Sequence, residues 1–138
     1  MRNLTAVFRA FIVWLVLMWV EVVHGTLRTI ILAPRVGDFC ARQIAVFTGS
    51  LLILVISFFM IGWVAVVRTR SLIMVGLLWL VLTVTFELGL GLLVFGYSWE
   101  RMASDYNIVR GGLMPIGLAV LFFSPLIASR LRARLFVR

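Results

Sequence analysis

Two acidic residues and one histidine stand within long apolar stretches, and their types and spacing are the ones best suited to chemistry. Glu21 and His24 are three positions apart, so on a helix they share one face. Helical bundles use Glu-x-x-His to hold di-iron or di-manganese centres, but such a centre needs a second Glu-x-x-His and two further glutamates. The chain has a single histidine. We therefore expect no metal and no cofactor, and we expect His24 to be a hydrogen-bonded interfacial residue beside Glu21.

Glu87 interrupts an otherwise uncharged stretch from Ser71 to Tyr97. It lies roughly 24 Å along a helix that begins at Ser71, just below the outer surface of a bilayer. A charged carboxylate in hydrocarbon costs at least about 2.5–3.5 kcal/mol, so it calls for a functional role or a partner. Two interpretations follow. Glu87 is either a proton or cation site, or one half of a structural ion pair with Arg110 or Arg28.

Charged residues of both signs collect in the segments that would emerge on the same side as Glu87. Asp38 and Arg42 are four positions apart, which favours an ion pair on a helix and a cap for the second span. In the segment from residue 98 to 112, Trp99 and Tyr106 are expected to anchor the chain at the interface. We name the predicted site the outer charge cluster, and its members are Glu21, His24, Arg28, Asp38, Arg42, Glu87, Arg101, Asp105 and Arg110.

The composition indicates the class of protein to which the chain belongs. The chain has 138 residues, of which 64% are hydrophobic, and its mean hydropathy is +1.18. A water-soluble globule cannot cover itself with so little polar surface, so that class of protein is excluded. The arginines punctuate apolar runs of membrane-spanning length, which favours a membrane protein and argues against a nucleic-acid partner.

Four segments are long enough to cross a bilayer core of about 30 Å. They are residues 43–67, 71–97 and 108–129, together with a first span at either 4–23 or 10–32. Pro34 ends the first span under both alternatives. A cleaved signal peptide is a further interpretation of this segment, because Arg2 and Arg9 precede a short apolar core. We expect residues 1–138 to form a single transmembrane domain that ends in a basic cytoplasmic tail at 130–138.

The distribution of arginine predicts the orientation of the spans. With the N-terminus inside, eight of the 13 basic residues lie at the inner surface, and the other five lie at the outer surface with all five acids. Both termini are therefore predicted to lie in the cytoplasm, with the protein in a bacterial inner membrane. The tail is predicted to form a short interfacial helix on the anionic lipids of the inner leaflet. The inner arginines are Arg2, Arg9, Arg68, Arg70, Arg130, Arg132, Arg134 and Arg138.

The two halves of the chain share an arrangement of polar residues that predicts a duplicated hairpin. Both copies enter the membrane from the same side, so a pseudo-twofold axis would lie along the membrane normal and place Glu21 opposite Glu87. Small and polar residues also recur at a period near 3.5, which is typical of a left-handed helical bundle. The predicted fold is an all-α, four-transmembrane-helix bundle of two parallel helical hairpins. The matching residues are Glu21, Asp38 and Arg42 in the first half and Glu87, Asp105 and Arg110 in the second.

The sequence contains no recognisable catalytic arrangement, since it lacks a Ser/His/Asp or Cys/His set, a glycine-rich phosphate loop and a zinc signature. We therefore expect a protein that is not an enzyme. The leading expectation is an accessory or structural subunit of a membrane complex or homo-oligomer, with other membrane proteins or further copies of itself as partners. The alternative is a small ion- or proton-coupled transporter or channel that uses Glu21 and Glu87. The role of Cys40 stays open.

Overall fold

The computed structural model describes residues 2–136, and within that range it contains helices and turns but no β-strand. Helix α1 (Arg2–Leu27) passes through a π-helical turn at Arg28–Leu32 into the short α2 (Ala33–Val36). Helix α3 spans Asp38–Val64. Helix α4 (Thr69–Gly89) is followed by another π-helical turn at Leu90–Val94. The remaining elements are α5 (Trp99–Tyr106), a 3-10 turn at Ile108–Arg110 and α6 (Met114–Phe136).

Four of the helical runs are long and apolar enough to cross a membrane, which confirms the predicted all-helical fold with four such helices. Large apolar side chains are exposed along every one of them, for example Trp19 on α1, Phe47 on α3, Val81 on α4 and Phe123 on α6. Water disfavours contiguous apolar surface of this kind, whereas lipid accommodates it. The runs are Asn3–Val36, Asp38–Val64, Thr69–Val94 and Met114–Phe136.

The first run extends beyond both predicted spans because the chain remains helical past Pro34. Proline stands in the first turn of α2, where its missing N–H needs no partner in the helix. The π-helical turn before it lets the preceding helix continue into α2. The run ends at Gly37, whose φ of +88° lies in the region that favours glycine.

The third run ends, and the fourth run begins, at other residues than predicted, because glycines with positive φ interrupt the helical backbone there. The third stops at Val94 instead of residue 97, just before Gly96 turns with a φ of +64°. The fourth begins at Met114 instead of residue 108, because Gly111, with a φ of +91°, separates the 3-10 turn from α6. Helix α6 then continues to Phe136, so the described part of the predicted 130–138 tail belongs to that helix. Arg138 and the side chain of Arg2 lie outside the described residues.

The four long helices surround a common core in the order α1, α3, α6, α4. Trp79 on α4 donates a hydrogen bond to the carbonyl oxygen of Ala10 at 2.8 Å. Trp14 on α1 donates to Thr83 Oγ1 on α4 at 3.0 Å. These two contacts place α1 and α4 side by side and running in the same direction. The largest fully buried apolar side chains are Trp79, Leu17, Leu72, Leu121, Val13 and Val64.

Helices α3 and α6 form a second pair that runs in one direction. Gln43 contacts Gly111, just before α6, and Ser57 contacts Ser124 further along both helices. The predicted repeat relates α1 to α4 and α3 to α6. However, a twofold axis along the bundle places related helices opposite each other, and here the members of each pair are neighbours. The arrangement of the helices thus does not confirm the duplicated hairpin, and the repeat stays a prediction.

Small buried residues let neighbouring helices approach closely. A Cβ atom built on Gly76 of α4 would lie 2.0 Å from the carbonyl oxygen of Phe122 on α6, so only glycine fits at this contact. Ser57, Thr83 and Ser124 are also buried. Gly76, Ser57, Thr83 and Ser124 are among the small and polar residues that recur at a period near 3.5 in the sequence, and all four lie at positions where such residues allow helices to pack.

Candidate functional site

Four charged side chains of the outer charge cluster join α3 to α5. Asp38 and Arg42 lie one turn apart at the start of α3, and Arg101 and Asp105 lie one turn apart on α5. The charges follow in opposite order on the two helices, so each carboxylate meets a guanidinium. Arg101 donates to both oxygens of Asp38, at 2.9 and 3.4 Å, and Arg42 Nη1 donates to Asp105 Oδ1. Arg42 Nε also lies 3.2 Å from Asp38 Oδ2, which makes the four side chains one continuous network.

The residues around α5 fasten this helix against α3. Ser98 is the N-cap of α5, and its hydroxyl accepts a hydrogen bond from a backbone N–H three residues later. After α5, the side-chain amide of Gln43 donates to the carbonyl oxygen of Gly111 at 2.7 Å. A Cβ on Gly112 would lie 2.2 Å from the carbonyl oxygen of Ser104, so glycine is required for this close contact. The network therefore rests on a connection that is itself held to α3.

Burial and ion pairing act in opposite directions on Asp105. Burial raises the pKa of this carboxyl, and the guanidinium groups of Arg42 and Arg101 oppose the rise without cancelling it. Burial also raises the pKa of the neighbouring Tyr106, and the negative charges of Glu87 and Asp105 raise it further. Asp105 therefore keeps its proton to a higher pH than an exposed aspartate does.

A second polar group joins α1 to α3 deeper in the bundle. Glu21 Oε2 lies 3.4 Å from His24 Nδ1, and His24 Nε2 is hydrogen-bonded to Thr48 Oγ1 at 2.7 Å. Gly49 leaves room for the carboxylate, because a Cβ there would lie 2.9 Å from Glu21 Oε2. His24 thus bridges Glu21 to α3. The other carboxylate oxygen, Glu21 Oε1, is buried and has no hydrogen-bond partner among the described residues.

Glu87 lies near Glu21 but forms no hydrogen bond or ion pair within residues 2–136. The two carboxylates are close enough to repel each other, and both are attracted by Arg28. That attraction acts at a distance, since Arg28 forms no ion pair in the described part of the chain. The hydroxyl of Tyr106, which lies in the field of Glu87, is buried without a hydrogen-bond partner among the same residues. Glu21 on α1, Glu87 on α4 and Tyr106 on α5 therefore lie near one another, and each has a polar atom without a hydrogen-bond partner among the described residues.

Arg110 lies outside this arrangement. Its side chain is exposed and forms no ion pair with any residue that the structure describes, so the predicted pair with Glu87 is not formed. Arg101 occupies the position in the network that the repeat assigns to Arg110. Of the two predicted interface aromatics, Trp99 is 66% exposed and Tyr106 is half-buried. The role of both rings as interfacial anchors stays a prediction.

Two polar residues of the site carry no signal strong enough to single them out in the sequence. Gln43 and Thr48 lie on α3 in a stretch without formal charge. Their polar side chains stand among aliphatic and aromatic ones, and this contrast is the only signal that marks them. The structure shows that Gln43 holds the loop after α5, while Thr48 and Gly49 receive the Glu21 and His24 side chains.

The opposite end of the bundle, which we call the arginine end, is held by contacts between guanidinium groups and backbone. Arg9 donates to the carbonyl oxygen of Trp63 at 3.1 Å and lies 5.5 Å from the centre of its ring. Arg132 donates to the carbonyl oxygen of Phe58 at 2.9 Å. In the described chain, no arginine at this end contacts a carboxylate. The arginine end comprises Arg9, Arg68, Arg70, Arg130, Arg132 and Arg134.

Within residues 2–136, no three side chains of histidine, cysteine, aspartate or glutamate are placed to hold a metal ion together. Cys40 is exposed on α3.

No protein-family model, curated protein or solved structure matches the chain. The geometry of the two ends of the bundle is therefore the basis for a functional proposal.

Proposed function

We propose that the protein is a small multi-span membrane protein that acts as a non-enzymatic accessory or structural subunit of a homo-oligomer or a larger membrane complex. One observation carries this proposal: the two ends of the bundle differ in how their charges are neutralised. The end that holds Asp38, Glu87 and Asp105, here called the acidic end, pairs aspartates with arginines. The described arginines at the other end have no acidic partner within residues 2–136. Unneutralised charge of one sign favours association with an acidic protein surface or anionic lipid.

The packing of the bundle argues against a conducting pathway through a single chain and so supports a structural role. The side chains of Val13, Leu17, Trp79 and Leu121 are almost wholly buried between the helices. A conducting pathway needs a polar or water-filled lining. These apolar side chains occupy the centre of the bundle, where a pathway along its axis would run.

The location that accords with this role is a bacterial inner membrane, with both termini in the cytoplasm. Four apolar runs of sufficient length and their exposed apolar side chains support membrane insertion. The concentration of arginine at one end supports an orientation in which the arginine end meets the cytoplasmic leaflet.

Extraction from the membranes of the native host into polymer-bounded lipid particles tests the subunit role. The particles are purified through a tag on this chain, sized by mass, and analysed for protein composition. We expect two or more copies of the chain, or a second membrane protein in fixed stoichiometry. An unrelated four-span protein with the same tag controls for incidental capture. Repeated recovery of single chains would contradict the proposal.

A second candidate function is a small ion- or proton-coupled transporter or channel, and a specific observation favours it. Glu87 has no hydrogen-bond or ion-pair partner within residues 2–136, and Glu21 Oε1 is buried without one. A carboxyl group in such a place gains stability by taking up a proton or a cation. Because the centre of one chain is apolar, the pathway would run along an interface between copies.

Flux measurements in proteoliposomes test this second candidate. Glu87→Gln removes the charge and keeps the shape of the side chain, so it should abolish flux of protons or monovalent cations while leaving the melting temperature nearly unchanged. Glu100→Gln is the matched control, because Glu100 is an exposed carboxylate on α5 outside the network. Flux that is no greater than that of empty liposomes, or equal flux in both variants, would reject the transport role.

A further inference from the structure

A groove lies at the arginine end, between the end of α3, the start of α4 and the end of α6. Its volume is about 420 Å³. Apolar side chains line most of it, among them the accessible Val66, Val67 and Phe136, while Arg130 and Arg132 line the side formed by α6. The groove therefore combines an apolar floor with a cationic side.

Arg132 is held in a defined position beside this groove. Its guanidinium donates to the carbonyl oxygen of Phe58 and lies 5.2 Å from the centre of the Phe136 ring. Gly62 leaves room for it, because a Cβ there would lie 3.1 Å from Arg132 Nη2. A guanidinium has five N–H donors, so the bond to Phe58 leaves donors for an anion. Arg130 is exposed and forms no hydrogen bond or ion pair with the rest of the described chain.

The start of α4 adds backbone donors to the same groove. Thr69 lines it, and the first hydrogen bond of the helix runs from the N–H of Leu72 to the carbonyl oxygen of Arg68, at 3.0 Å. The N–H groups of residues 69–71 therefore have no acceptor within the helix, and the helix dipole places partial positive charge there. This feature adds to the two guanidinium groups and does not define a site without them.

Within residues 2–136, no carboxylate neutralises the charge at this end. All five acidic residues lie toward the acidic end, on α1, α3, α4 and α5. A ligand complementary to the groove is therefore anionic, so that it pairs with the guanidinium groups, and it also carries hydrocarbon, so that it covers the apolar floor. A phospholipid with a net negative headgroup has both properties.

We propose that this groove binds one anionic phospholipid. The headgroup phosphate lies between Arg130 and Arg132, and an acyl chain lies along the exposed side chains of Val67 and Phe136. The proposal rests on the proposed membrane location of the protein and is independent of its role as a subunit.

Native mass spectrometry of the purified protein tests the proposal, with phosphatidylglycerol and phosphatidylcholine of identical acyl chains added in parallel. We expect one phosphatidylglycerol per chain to be retained in preference to phosphatidylcholine. Arg130→Gln and Arg132→Gln should each weaken this retention about fivefold, the effect expected for one basic residue near an anionic headgroup. Arg134→Gln is the matched control, since it removes the same charge from an exposed position on α6 that does not line the groove.

Three results would overturn the proposal. Equal retention of the two lipids would show that charge does not select the ligand. Equal weakening by Arg134→Gln would show a general effect of a basic surface. Displacement of phosphatidylglycerol by inorganic phosphate at the same concentration would show a site for free anions.

Controls separate these results from misfolding and from failure to insert. Arg132 also fastens α6 to α3, so its variant is compared only when its helical content matches that of the original chain. Arg130 makes no such contact, so its variant provides an independent test of the groove. Insertion into nanodiscs is measured separately, because failure there contradicts the membrane location and leaves the lipid preference to be judged in detergent.

Discussion

The contact between α4 and α6 at Gly76 supports a quantitative prediction. A Cβ on Gly76 would lie 2.0 Å from the carbonyl oxygen of Phe122 and 3.0 Å from its carbonyl carbon, whereas ordinary contact begins at 3.4 Å. Gly76→Ala therefore requires the two backbones to separate by about 1.4 Å, and closely packed interiors resist such a shift. Overpacking of this kind costs about 1–3 kcal/mol, and the helix preference of alanine offsets about 0.5–1 kcal/mol. We expect a net loss of up to about 2.5 kcal/mol in the free energy of unfolding.

Gly89 provides a matched control on the same helix. A Cβ there meets nothing within 4 Å, and the backbone is right-handed helical, so Gly89→Ala should stabilise the protein by about 0.5–1 kcal/mol. Both variants are unfolded by titration with sodium dodecyl sulfate in mixed micelles and followed by tryptophan fluorescence, to which the buried Trp79 contributes. The reasoning would be refuted if Gly76→Ala were as stable as Gly89→Ala, because the two helices would then not be in backbone contact at Gly76.

Two further predictions concern the hydrogen bonds and charges between helices. Thr83→Val leaves the indole N–H of Trp14 without its acceptor, so it should cost about 1–3 kcal/mol in the same titration, whereas Thr85→Val, whose exposed hydroxyl bonds only within its own helix, should change stability by a few tenths. Equal losses would contradict the contact between α1 and α4. Arg42→Gln should raise the pKa of Asp105 further, because it removes a guanidinium that opposes the effect of burial. The folded variant then binds a proton at a higher pH than the unfolded chain does, so its stability should increase as the pH falls through that raised pKa. Carbon-13 NMR of labelled aspartate measures the pKa, and an unchanged value would contradict the pairing of these two side chains.

The number and type of the helices could be predicted from the sequence because each long apolar run carries its own evidence. A helix that satisfies its backbone internally and is apolar over 20 or so residues needs no knowledge of its neighbours to be recognised. The residues at which the helices begin and end were less predictable. Pro34 and the glycines at 96 and 111 act through local backbone geometry, and a helix can pass a proline when a π-helical turn comes before it.

The membership of the charged site could be predicted only in part, because spacing along the chain does not determine which way a loop residue faces. Asp38, Arg42 and Asp105 meet as their positions suggest, but Arg101 completes the network where the repeat assigns Arg110. The 3-10 turn and Gly111 leave the Arg110 side chain exposed. Contacts such as that of Gly49 with Glu21 depend on which helices are neighbours, and one sequence does not contain that information.

The mass of the particle extracted from native membranes at its natural level of expression tests the central claim most directly. Natural expression matters because an excess of chain drives weak self-association by mass action. We predict particles that contain either two or more copies of this chain or a second membrane protein in constant ratio to it. Particles that hold one 15.6 kDa chain and lipid alone, across preparations and extraction polymers, would contradict the claim that the protein acts as a subunit.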